Sequence, residues 1–119
     1  MSLSVDVFVS GVDGTVRYLD VPPDISDLAG HERTRTDLWG SAAARSLGAR
    51  FLPQLATSDL RVAPDQVQDF LDECAKLRSN ISVLASRTDR AEDYIAARLD
   101  NIINAAHRAI QVGGGVIIW

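Results

Sequence analysis

A single cysteine, Cys74, leaves the chain with no intramolecular disulfide and none of the thiolate clusters that hold structural zinc. Histidine is almost as scarce. His31 and His107 lack the paired spacing, such as His-x-x-x-His, from which zinc sites are built, so no metal and no other cofactor is expected. Lys76 is the only lysine, and 12 basic residues against 16 acidic ones leave a net charge of −4. That balance lacks the basic footprint of a nucleic-acid-binding chain. No apolar run approaches the ~20 residues that a membrane-spanning helix needs. The opening residues, Met1 to Asp6, have no basic n-region and carry an acid, so no signal peptide is expected and the cytoplasm is the default compartment.

What is present is ordinary for a folded protein. The chain has 119 residues, 46% hydrophobic and 24% charged, enough for one core and too few for two. One domain over residues 1–119 is expected.

Leu3, Val5, Val7 and Val9 alternate with Ser4, Asp6, Phe8 and Ser10, the period of a strand with one buried face. Gly11-Val12-Asp13-Gly14 then supplies a turn, and Thr15 to Val21 forms a second β-rich run, stopped by Pro22-Pro23. Residues 24–35 are polar and weakly patterned, with Ile25 and Leu28 able to anchor one helical turn. Thr36 or Asp37 is placed to cap a helix through Leu38, Trp39, Ala42, Ala43 and Leu47, ended by Gly48. Phe51 to Leu55 reads as a second short helix or a buried turn, and Ser58 to Val62 as a brief extended segment.

The second half is more regular. Pro64 suits a first helical position, and Val67, Phe70, Leu71, Cys74, Leu77, Ile81 and Leu84 mark one face of a helix of about six turns. Thr88 or Asp89 then caps a second long helix with Tyr94, Ile95, Leu99, Ile102, Ile103, Ala106 and Ile110 on its apolar face and Gly113 at its end. The short connection predicts an antiparallel pair. Gly114-Gly115 and then Val116-Ile117-Ile118-Trp119 complete the chain with four β-formers apolar on both sides, as in a central strand. The expected architecture is α+β in the order β-β-α-α-α-β, with the terminal strand in one sheet with the N-terminal hairpin. An exposed edge on that strand would offer a route to a homodimer.

Val7 to Thr15 resembles the first motif of haloacid-dehalogenase-type phosphotransferases, an apolar strand followed by Asp-x-Asp-Gly-Thr. The nucleophilic Asp of that motif is replaced by Gly11, so no phospho-aspartyl intermediate can form, and a hairpin turn is the expected structure. Gly11-x-x-Gly14 lacks the lysine and following helix of a phosphate-binding loop. Cys74 lies on an apolar stripe and reads as a small hydrophobe, and no serine sits in a Gly-x-Ser-x-Gly elbow. No catalytic constellation emerges, and a non-enzymatic role is expected.

Two surface features remain. Asp65, Asp69, Asp72 and Glu73 form an acidic stripe away from most apolar positions of the first long helix, suited to a basic protein partner. His31 to Asp37 is a dense polar segment in which Arg33 and Arg35 are candidates for binding an anion. In size and charge the chain resembles small actinobacterial proteins of the immunity or inhibitor type. That resemblance implies a binding module that neutralises a protein partner. A structural or oligomeric subunit is the competing expectation.

Overall fold

Residues 2–119 are described by a computed structural model of the chain. The N-terminal alternation forms strand β1 (Ser2–Ser10), with Leu3, Val5 and Val7 buried on one face. The hairpin forms as expected. Asp13 accepts from the Thr15 N–H (3.2 Å) and hydroxyl (2.7 Å), which holds its carboxyl below its ordinary pKa. Asp13 is thus engaged in turn formation, and strand β2 (Val16–Tyr18) returns along β1.

A third strand follows where one helical turn was expected. Strand β3 (Leu28–His31) pairs with the first residues of β1. Its hold is tertiary: Trp39 Nε1 donates to the Ala29 carbonyl (3.0 Å) and Asn101 Nδ2 to that of Leu28 (2.9 Å). Four residues containing Ala and Gly carry too little periodicity to announce a strand.

The single helix expected after Thr36 is divided. Arg35–Trp39 winds as one π-helical turn, closed by the Gly40 N–H on the Arg35 carbonyl (2.8 Å). Ser41 then starts helix α1 (Ala42–Ser46), its hydroxyl accepting from the Ala44 N–H (3.1 Å). A 3₁₀ turn over Leu52–Ala56 leads to strand β4 (Leu60–Val62), matching the short helix and extended segment expected there.

Pro64–Gln66 is a 3₁₀ turn that opens helix α2 (Val67–Ser79). The expected six-turn helix ends early. Asn80 turns its side-chain amide back to the Lys76 carbonyl (2.8 Å) and leaves helical geometry, so helix α3 (Ile81–Thr88) sets out separately. Asp89 ends α3 in the left-handed conformation, at φ 58°, and Ala91 rather than Thr88 or Asp89 precedes helix α4 (Glu92–Val112). Gly113 closes α4 at φ 66°, as expected. No helix among the described residues is long and apolar enough to cross a membrane.

Strand β5 (Gly115–Ile118) runs antiparallel between β1 and β4, opposing Val5 to Phe8 on one side and Leu60 to Val62 on the other. β2 and β3 share the far edge of β1. The hydrogen bonds extend to Trp119, whose N–H and C=O pair with Ser4. At Gly115 a Cβ would collide with the Phe8 ring and the Val62 carbonyl, so only glycine permits this close approach. Because both edges of β5 are occupied, the expected route to a homodimer through that strand is closed. The sheet's edges are β4, three residues long, on one side and β2 and β3 on the other.

The helices cover the face formed by Leu3, Val5, Val7, Leu60, Val62, Val116 and Ile118. On the opposite face Arg61 lies 4.2 Å over the centre of the Phe8 ring. There Trp119 packs against Tyr18 at 5.0 Å and donates to Asp6 (2.8 Å). Its side chain is 41% exposed, so the terminal residue is ordered by its backbone and not by burial of its indole.

Candidate functional site

Helix α2 buries Val67, Phe70, Leu71, Cys74 and Leu77, which turns Asp69 and Asp72 outward. Opposite them the segment after Gly48 passes close to the helix. Together they line a cleft of about 450 Å³ formed by Gly48, Arg50, Phe51, Gln54, Asp69, Asp72, Glu73 and Lys76. Three of the four residues of the expected acidic stripe are therefore gathered in one concavity. Asp65 stands outside it, exposed in the preceding 3₁₀ turn.

The three cleft acids have different roles. The Glu73 carboxylate accepts from the backbone N–H groups of Arg50, Phe51 (2.9 Å) and Leu52 (2.9 Å), the unpaired donors at the start of the Leu52–Ala56 turn. Glu73 is thus a tether between α2 and the facing segment. Asp72 accepts only from Gln68 (3.0 Å), and neither Asp69 nor Asp72 has a cation within 4 Å among the described residues. Half-buried Phe51 lines the same cleft, set edge-to-face on Phe70 at 5.6 Å.

Arg50 and Lys76 also line the cleft, so it presents carboxylates early along α2 and a cation one turn later. A surface of this kind discriminates by the placement of charge. Carboxylates beside an aromatic ring suit an incoming guanidinium, through paired N–H···O bonds and contact with the ring. Phe51, Arg50 and Gln54 were not foreseen in this role, since nothing in their spacing links them to α2.

The polar segment behaves differently from expectation. Arg35 donates to Glu32 (3.0 Å), Asp59 (2.7 Å) and the carbonyls of Leu55 (3.2 Å) and Ser58 (2.9 Å). The Asp59 hydrogen bond in particular holds its guanidinium charged above the ordinary value. Arg35 therefore fastens the π-helical turn to the Leu52–Ala56 turn and the residues just before β4, with four of its five N–H donors engaged inside the fold. Arg33 is exposed and makes no side-chain hydrogen bond within the described residues. Asp37 faces Arg90 (3.4 Å), while His31 stacks on Tyr94 at 6.4 Å. His31 and Asp37 thus meet the Tyr94–Arg90 pair while Arg35 is bonded elsewhere, and none of the four polar residues His31, Arg33, Arg35 and Asp37 lines the cleft.

Cys74 is buried, and desolvation, with the Glu73 charge adding to it, pushes its thiol well above the ordinary value. Such a thiol is a poor nucleophile. Among the described residues no three His, Cys, Asp or Glu side chains gather as metal ligands. In comparisons with known proteins, the chain matches no family model, no curated protein and no solved structure.

Proposed function

We propose that this chain is a non-catalytic protein-binding module that docks a basic partner at the α2 cleft, in the manner of an inhibitor or immunity protein. One observation carries the reading: Asp69 and Asp72, without a cationic partner among the described residues, line a cleft of about 450 Å³ together with half-buried Phe51. Helices pre-position these carboxylates, so little conformational freedom is lost on binding. Glu73 keeps the facing wall in place, and the partner contributes an arginine or lysine that reaches between the acids.

Complementary charge of this kind chiefly raises the association rate and selects the partner. The test is a titration of the ¹⁵N-labelled chain with a tetra-arginine peptide at low salt. Shifts are expected at Phe51, Asp69 and Asp72 and should weaken as salt is raised toward physiological strength, where screening acts within ~8 Å. The Asp69→Lys/Asp72→Lys double variant should fold normally and lose the shifts. Perturbations spread over the whole surface, or unaltered by the double variant, would remove the cleft as the docking site.

A further inference from the structure

Tyr94 and Arg98 lie four residues apart and so share one side of α4, and Arg90 lies just before the helix. The guanidinium carbon of Arg98 lies 4.4 Å from the centre of the Tyr94 ring and that of Arg90 lies 5.4 Å from it. The His31 ring, carried on β3, stacks on the same tyrosine at 6.4 Å and 29°. Thr34 fixes the backbone there, accepting from the His31 N–H (3.1 Å) and donating to its carbonyl (2.6 Å). Two guanidiniums and an imidazole are thus collected around one phenol.

The fold supplies little to balance them. Asp37 reaches Arg90 at 3.4 Å, but no carboxylate lies within 4 Å of Arg98 among the described residues. Three polar atoms of the cluster, Arg90 Nε, Arg98 Nε and the Tyr94 hydroxyl, are shielded from solvent and have no hydrogen-bond partner. Folded proteins leave few such groups unpaired, and a concentration of them around two cations points to an acceptor that is itself anionic. This contrasts with Arg35, four of whose five donors meet carboxylates or carbonyls of the chain.

We propose that Arg90, Arg98, the Tyr94 hydroxyl and His31 form a binding site for the phosphate group of a small ligand. A phosphate dianion can satisfy both guanidiniums and the hydroxyl with separate oxygens, whereas a carboxylate balances only one cation. The site uses residues other than those of the α2 cleft and stands or falls independently of it.

Isothermal titration calorimetry on the full chain, at constant ionic strength, tests this with inorganic phosphate, glycerol 3-phosphate and acetate. Both phosphates are expected to bind at least about tenfold more tightly than acetate, the factor of one lost charge-assisted hydrogen bond or more. Tighter binding of the ester assigns the ligand to phosphomonoesters, and equal or tighter binding of the ion assigns it to free phosphate. Arg98→Gln should weaken phosphate about tenfold, and Arg45→Gln, at an exposed arginine on α1, should leave it unchanged. Tyr94→Phe deletes only a hydroxyl and keeps the ring, so it reads the site even if the arginine variant folds poorly; a several-fold loss is expected. Absence of phosphate binding at millimolar concentration, acetate binding as well as phosphate, or a Tyr94→Phe variant with wild-type affinity would each overturn the proposal.

Discussion

A carboxylate that accepts from successive backbone N–H groups secures the start of a helical turn, because those donors have no partner inside the turn. Glu73 does this across elements, from α2 to residues 50–52. Glu73→Gln keeps one acceptor and loses the charge, and its expected cost is about 1–3 kcal/mol in urea denaturation. Asp72→Asn, one position away and exposed, should stay within about 0.5 kcal/mol. Similar losses for the two variants would show that the tether is unimportant. Cys74 supplies a pH-dependent effect. Its folded thiol value is raised, whereas an unfolded thiol ionises above about pH 8.5. The associated stability is therefore fully present below that pH and is lost as pH rises toward the folded value. Wild-type protein should lose more stability than Cys74→Ala between about pH 8 and pH 10. Parallel alkaline slopes would eliminate the thiol as a cause. At this scale the sequence was informative about Cys74, whose apolar neighbours at helical spacing implied burial. It was silent on Glu73, since an acid on a polar stripe looks the same whether it faces water or a backbone.

Among the elements, β5 ties the sheet together. It is, among the described residues, the only strand joining β1 to β4, and it brings Val116 and Ile118 into the core. Ile118→Ala should cost about 2–5 kcal/mol. Deleting Val116 to Trp119 should remove the cooperative thermal transition altogether, and a truncated chain melting at the wild-type temperature would refute this role. Elements with clear local signals were legible from sequence: β1 and α4 by periodicity, the hairpin and the Gly113 stop by their glycines, and the terminal strand by its run of β-formers. The break between α2 and α3 was not. Ile81 and Leu84 continue the apolar spacing of α2, so periodicity runs straight through Asn80, where the backbone leaves helical geometry and the side-chain amide bonds the Lys76 carbonyl. β3 was hidden for the opposite reason, having almost no pattern and being held by Trp39 and Asn101 from distant parts of the chain.

For the molecule as a whole, composition and periodicity by themselves determined the α+β class and the partnership of the two chain ends in one sheet. These follow from local chemistry: alternation, glycine turns and a 3.6-residue apolar stripe demand particular elements, and an apolar terminal strand demands burial. The same chemistry made an acidic helix face visible. Only the tertiary structure decided which of its acids stay exposed, that Phe51 and Arg50 stand opposite them, and that Arg35 is neutralised internally while Arg98 is not. The reason is physical. A side chain's partners are set by which elements pack together, and residues such as Gly48 and Lys76, or His31 and Tyr94, meet across separations that no local pattern records.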